Sequence, residues 1–103
     1  MAFVYLIGEE NDGLRYKIGC TKSDNVNKRL KTLQTGNPNK LTLVKAYQTD
    51  KPHKLESLLH THFKGRQTLN EWFDLEDTDV DGFEALCDRY QGFIEMLKDN
   101  PYF

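Results

Sequence analysis

Residues 16–29, YKIGCTKSDNVNKR, decide how the rest of the chain is read. Side chains two apart share a face of a strand, so Lys17 and Gly19 lie on one side of an extended YKIG and Tyr16 and Ile18 on the other. The stretch then changes period. Val26, Leu30 and Leu33 stand at i, i+4 and i+7, the spacing of one apolar helix face, with Lys28, Arg29 and Lys31 around them. Ser23 or Asp24 can cap a helix over about 25–34. Gly36 stops it, and Asn37-Pro38 prevents its resumption.

Working outward, Phe3–Gly8 reads as a strand that can pair with Leu14–Cys20, and Asp12-Gly13 between them is a hairpin signal. Leu41–Gln48 alternates as a third strand. Asp50 can cap a helix that begins near Pro52 and carries Leu55, Leu58, Leu59 and His62 or Phe63 on its apolar stripe, with Gly65 at its end. Residues 71–75 read as a short strand or extended segment. Thr78 or Asp79 starts a last helix, in which Phe83, Cys87, Tyr90, Ile94 and Leu97 form a continuous apolar seam. That seam either covers the sheet or pairs with a second copy. The order predicts a small α/β domain of the α+β kind, a central antiparallel sheet flanked by helices.

With 103 residues and no repeat, low-complexity segment or linker, one domain over 1–103 is expected. No apolar run approaches the ~18–20 residues of a membrane span. The apolar start without a basic flank reads as a strand rather than a signal peptide. Cys20 and Cys87 are far apart, which suits free thiols in a reducing cytoplasm rather than a disulfide framework. The net charge of −2 hides an asymmetry. Residues 1–66 hold 12 Lys and Arg against 6 Asp and Glu, whereas residues 67–103 hold 2 against 10. The basic front suits a polyanion such as DNA or RNA, and the acidic end would repel one unless it faces away or meets a basic partner.

Pairing the first two strands as a hairpin can put Tyr5 and Lys17 on one face, with Gly19 beside them allowing a phosphate backbone to approach closely. An arginine such as Arg29 can hold two phosphate oxygens as charge builds on them. Glu56 with waters and a substrate phosphate would make a Mg²⁺ or Mn²⁺ site. His53 and His60 stand at i−3 and i+4 from Glu56, so all three share a helix face. That spacing admits a His-Glu-His transition-metal site, a proton-handling or substrate-contacting His53, and a structural His60. Lys22, Lys28 and Lys31 are candidate backbone contacts.

The ordered set resembles the GIY-YIG nuclease superfamily, and within it the phage-type branch, whose core reads roughly Y-K-I-G, R, L-Q-T-G-N-P, E-x-x-L-H and E-W-F. The similarity covers about residues 3–75 and leaves 76–103 as an acidic helical extension. It implies that Tyr5 is the first-motif tyrosine, that Lys17 takes the place of the second, and that Tyr16, one residue early, is not carried over. It implies that Arg29 is the helix arginine and Glu56 the metal-binding glutamate. Asn70 falls near a family asparagine, and Glu71 near the frame of the site. The expected function is metal-dependent hydrolysis of phosphodiester bonds in nucleic acid, DNA before RNA, with Tyr5 or Lys17 helping to deprotonate the attacking water and His53 assisting. The alternative is a non-catalytic nucleic-acid- or protein-binding module on the same fold. Targeting would come from a partner protein or a homodimer.

Overall fold

The computed structural model describes residues 2–9, 12–22, 26–37 and 39–98. Strand β1 (Ala2–Glu9) is followed by β2 (Asp12–Thr21), α1 (Val26–Thr35), β3 (Leu41–Thr49), α2 (Pro52–His62), β4 (Gln67–Leu69), β5 (Trp72–Asp74), α3 (Asp77–Asp81) and α4 (Phe83–Leu97). The strands form one antiparallel sheet in the order β3-β1-β2-β5-β4. This is the expected α+β architecture, with one strand more than the sequence reading supplied. β4 has only three residues, all exposed, so it carries no apolar periodicity that could announce it.

β1 sits inside the sheet with helices on both faces. That explains why Val4, Tyr5, Leu6 and Ile7 are all buried and why their run does not alternate. On one face, Val4, Leu6 and Ile18 meet Leu55 and Leu59 of α2 and Phe83, Leu86 and Ile94 of α4. On the other, Tyr5 and Ile7 meet Val26, Leu30 and Leu33 of α1. Burying each such leucine or phenylalanine contributes about 1.5–3 kcal/mol. Residues 83–94 thus belong to the same core as β1 and β2.

Local chemistry shifts several predicted boundaries. Asp12 and Gly13 open β2 rather than turning the hairpin, and Glu9 pairs with Asp12. The expected caps Ser23 and Asp24 lie outside the described residues. α2 is preceded by Lys51, without a side-chain cap, and Pro52 occupies its first turn. Asp50 instead accepts a hydrogen bond from Gln91 and pairs with Lys98. α2 ends at His62, ahead of Gly65, which lies inside a short 3-10 turn (Lys64–Arg66). The last helix is split at Gly82. Its first part, α3, is closed by a capping box between Glu76 and Asp79.

The QTGN segment after α1 has a structural use. The Gln34 amide donates to the carbonyls of Asn37 and Asn39 at 3.2 and 2.8 Å, and its oxygen accepts from Leu41 N–H at 2.7 Å. One side chain therefore satisfies three backbone groups where the chain leaves α1 and enters β3. This ties the position of α1, and with it Arg29, to the sheet.

Candidate functional site

The site begins where β5 stops covering β2. β5 pairs with β2 only over Arg15, Tyr16 and Lys17, and the last bond across is Ile18 N–H to the Glu71 carbonyl, 3.0 Å. Beyond Ile18, β2 has no partner strand on this side among the described residues. The Ile18 carbonyl accepts from His60 Nε2 at 2.9 Å. Side chains from both faces of the sheet can meet around this uncovered edge.

On the α1 face, Tyr5 lies directly across from Gly19, and Lys17 across from Ile7. Opposed residues of an antiparallel pair share a face, so Tyr5, Gly19 and Lys17 are on one side. Tyr16 is on the other side, paired with Gly8 and packed against the α2–α4 core. The Tyr5 ring crosses Gly19 so closely that a Cβ there would sit 2.5 Å from Tyr5 Oη and 2.7 Å from its Cζ. The room expected above Gly19 for a phosphate is therefore filled by Tyr5, because only a residue without Cβ lets the ring lie flat on β2. Arg29, reaching down from α1, donates its Nε–H to Tyr5 Oη at 3.4 Å.

Lys17 Nζ donates to Glu71 Oε2 at 2.7 Å, and its charge also lies 5.8 Å from the Trp72 ring centre. Glu71 is aimed by the β4–β5 turn. Asn70 adopts a left-handed backbone, φ 54°, a conformation asparagine tolerates better than most residues. Its place in the site is this turn.

From the other face, α2 presents Glu56, with its side chain only 17% exposed. Glu56 Oε1 is 3.7 Å from His60 Nε2, and the carboxylate lies in the fields of Cys20 and Glu71. His53, one turn earlier and exposed, sets its Nδ1 3.5 Å from Cys20 Sγ. The ligand atoms of Cys20, His53 and Glu56 all lie within 4.8 Å of one another.

These contacts set the charges. Burial pushes Glu56 above the usual carboxylate range and the Glu71 charge adds to it, against the pull of Cys20 and His60. Burial works the same way on Glu71, but the hydrogen bond and charge of Lys17 outweigh it and hold Glu71 below that range. The Tyr5 phenol is raised by burial despite the hydrogen bond and charge of Arg29. The Cys20 thiol is pushed up to about 12, by burial first and then by Glu56.

Arg29 is bonded to Tyr5 and Lys17 to Glu71, and the charges of Glu71 and Glu56 act on the Tyr5 phenol. Lys22, Lys28 and Lys31 are exposed, after β2 and along α1. The His53-Glu56-His60 set does not hold as one ligand cluster, because His60 is turned to the Ile18 carbonyl and Cys20 takes its place. Sequence reasoning missed Cys20 as a neighbour of Glu56. Strand alternation, which places Cys20 with Ile18 on the α2 face, was the available signal. It also left Glu71 as a frame residue, whereas its side chain is the counter-ion of Lys17. The acidic α4 packs against α2 and β3, away from α1.

Among the described residues, no helix is long and apolar enough to cross a membrane. Uncharacterized protein 460R of Invertebrate iridescent virus 6 is 34% identical over 87 residues, which cover 82% of this chain and 38% of that protein. The chain therefore spans well under half the length of this curated relative. No solved structure was found to match. The T5orf172 domain model matches residues 2–87, from the first strand into α4, and the chain belongs to the T5orf172 domain family.

Proposed function

We propose that this chain is a metal-dependent endonuclease of the GIY-YIG type, phage-type branch, hydrolysing phosphodiester bonds of nucleic acid, DNA before RNA. The observation that supports this reading is that Arg29 of α1 bonds Tyr5 of β1 and Lys17 of β2 pairs with Glu71, while the charges of Glu71 and of Glu56 of α2 act on Tyr5. The position of α4 supports it, since the acidic helix packs chiefly on α2 and β3.

Glu56, with Glu71 beside it, fits a hard divalent cation such as Mg²⁺ or Mn²⁺. Two carboxylates stand together, and Glu56 is held above its usual range by burial and by its neighbour, a condition that a cation relieves. When bound, the ion supplies positive charge against the charge developing on the phosphate. Arg29 has two parts to play. Its Nε–H lowers the cost of a Tyr5 phenolate, and its remaining N–H groups clamp the non-bridging oxygens. The phenolate accepts a proton from water as the water oxygen bonds to phosphorus. The bond from phosphorus to the leaving sugar oxygen breaks, and that oxygen takes a proton from solvent. Lys17, held in place by Glu71, adds a fixed positive charge. Lys22, Lys28 and Lys31 contact the backbone, which positions a strand without reading its sequence. A partner protein or a second copy would supply target choice, in a reducing cytoplasm that keeps both thiols free.

The test is nicking of supercoiled plasmid and cleavage of single-stranded DNA and RNA with Mg²⁺, Mn²⁺ or EDTA, beside Arg29→Ala and Glu56→Ala. Metal-dependent cleavage by the wild type alone supports the proposal. Equal cleavage by the variants overturns the assignment to this site. Salt-sensitive binding without cleavage identifies a non-catalytic nucleic-acid-binding module instead.

A further inference from the structure

The magnesium reading uses Glu56 but leaves the thiol and imidazole next to it without a task. Cys20 comes from β2, and His53 and Glu56 from successive turns of α2, so the three are presented by two rigid elements. Both elements are anchored in the core beside the site, by Ile18 in β2 and by Leu55 and Leu59 in α2. Cys20 Sγ and His53 Nδ1 are 3.5 Å apart. A tetrahedral zinc ion with Zn–S about 2.3 Å and Zn–N about 2.0–2.1 Å spaces its sulfur and nitrogen ligands about 3.5 Å apart. The third ligand atom, a Glu56 carboxylate oxygen, lies within 4.8 Å of both.

We propose that Cys20, His53 and Glu56 bind one Zn²⁺ ion, with the fourth position open. The donor types select the metal. A thiolate and an imidazole favour zinc over Mg²⁺ or Ca²⁺, which take oxygen ligands. Three protein ligands with one open position is the pattern of a zinc site that admits water or substrate rather than of a closed structural one. His60 Nε2, bonded to the Ile18 carbonyl and 3.7 Å from Glu56 Oε1, stands beside the ligand set without joining it. The second thiol, Cys87, is fully buried in α4 and lies outside this cluster. Because Glu56 is shared, zinc at this site and magnesium at Glu56 exclude one another, and zinc loading suppresses the hydrolysis proposed above.

The experiment is a Co²⁺ titration of the reduced, metal-free protein without nucleic acid, followed by Zn²⁺ displacement. One equivalent of Co²⁺ should give a near-ultraviolet thiolate-to-cobalt charge-transfer band, removed by one equivalent of Zn²⁺ but not by excess Mg²⁺. Loss of a supporting neighbour typically costs 10–100-fold in metal affinity, so His53→Ala, at an exposed position, should weaken zinc binding by more than about 100-fold. Cys20→Ser should abolish the band, whereas Cys87→Ala, which checks the thiol assignment, should retain it. Circular dichroism of each variant establishes that it is folded. A missing thiolate band in the folded wild type overturns the proposal, as does a band that survives Cys20→Ser or displacement by Mg²⁺ as ready as by Zn²⁺. This readout is separate from cleavage. A cobalt site without nicking overturns only the nuclease reading, and nicking without a cobalt site overturns only this one.

Discussion

Lys17 Nζ and Glu71 Oε2 stand 2.7 Å apart, joining the middle of β2 to the residue just before β5. The pair fixes the lysine on the Tyr5 face of β2 and favours the negative form of Glu71. Beside it Glu56 is pushed the other way, so two neighbouring carboxylates have opposite tendencies. The split follows from Lys17, which bonds Glu71 and not Glu56.

The pair has a pH signature. Glu71 is lowered in the folded protein, so its contribution to stability is present above its ordinary value of 4.5 and is lost as pH falls through the lowered folded value. Glu71→Gln should therefore be less stable than the wild type near neutral pH, and the two should converge on acidification below pH 4.5. Urea denaturation at a series of pH values measures the difference. A gap that stays constant down to pH 2 would show that Lys17 is not the cause.

Gly19→Ala should displace the Tyr5 ring, because the added methyl would lie 2.5 Å from Oη. Overpacking of this kind costs about 1–3 kcal/mol. The cost should shrink sharply when Tyr5 is first changed to Leu, a coupling that a double-mutant cycle of unfolding free energies reads directly. Equal cost in both backgrounds would mean that the methyl is accommodated elsewhere.

If Tyr5 is the base, cleavage should accelerate with pH. Burial holds the phenol above 10.0, so the phenolate fraction rises about tenfold per pH unit below that value. Plasmid nicking by the wild type should follow this slope from pH 7 to pH 9, and Tyr5→Phe should be both slow and flat. A profile unchanged by Tyr5→Phe would assign the proton to another group.

Gln34→Ala removes a clamp on three backbone groups and should destabilise the protein by about 1–3 kcal/mol, the cost of leaving such groups unpaired. Because α1 carries Arg29, nucleic-acid cleavage should fall more than the loss of folded protein accounts for. Comparing specific activity with the folded fraction from thermal unfolding separates the two effects.

Much of this protein was determined by the sequence alone. Strand alternation grouped Lys17 with Gly19 and set Tyr16 on the opposite face, while the register that brings Tyr5 across from Gly19 came from the folded hairpin. The period of Val26, Leu30 and Leu33 gave α1 an apolar face and Leu55 and Leu59 gave one to α2, but which side of the sheet each helix covers was decided by packing. The tertiary structure decided what lies across the sheet edge. β5 ends after three residues, and no local pattern records that this exposes β2 where Glu56 and Cys20 come round from the other side. The filled space over Gly19, the pairing of Lys17 with Glu71, and the exchange of His60 for Cys20 beside His53 and Glu56 likewise depend on residues 14 to 54 positions apart. Periodicity tells which way a side chain points, and only packing tells what it meets.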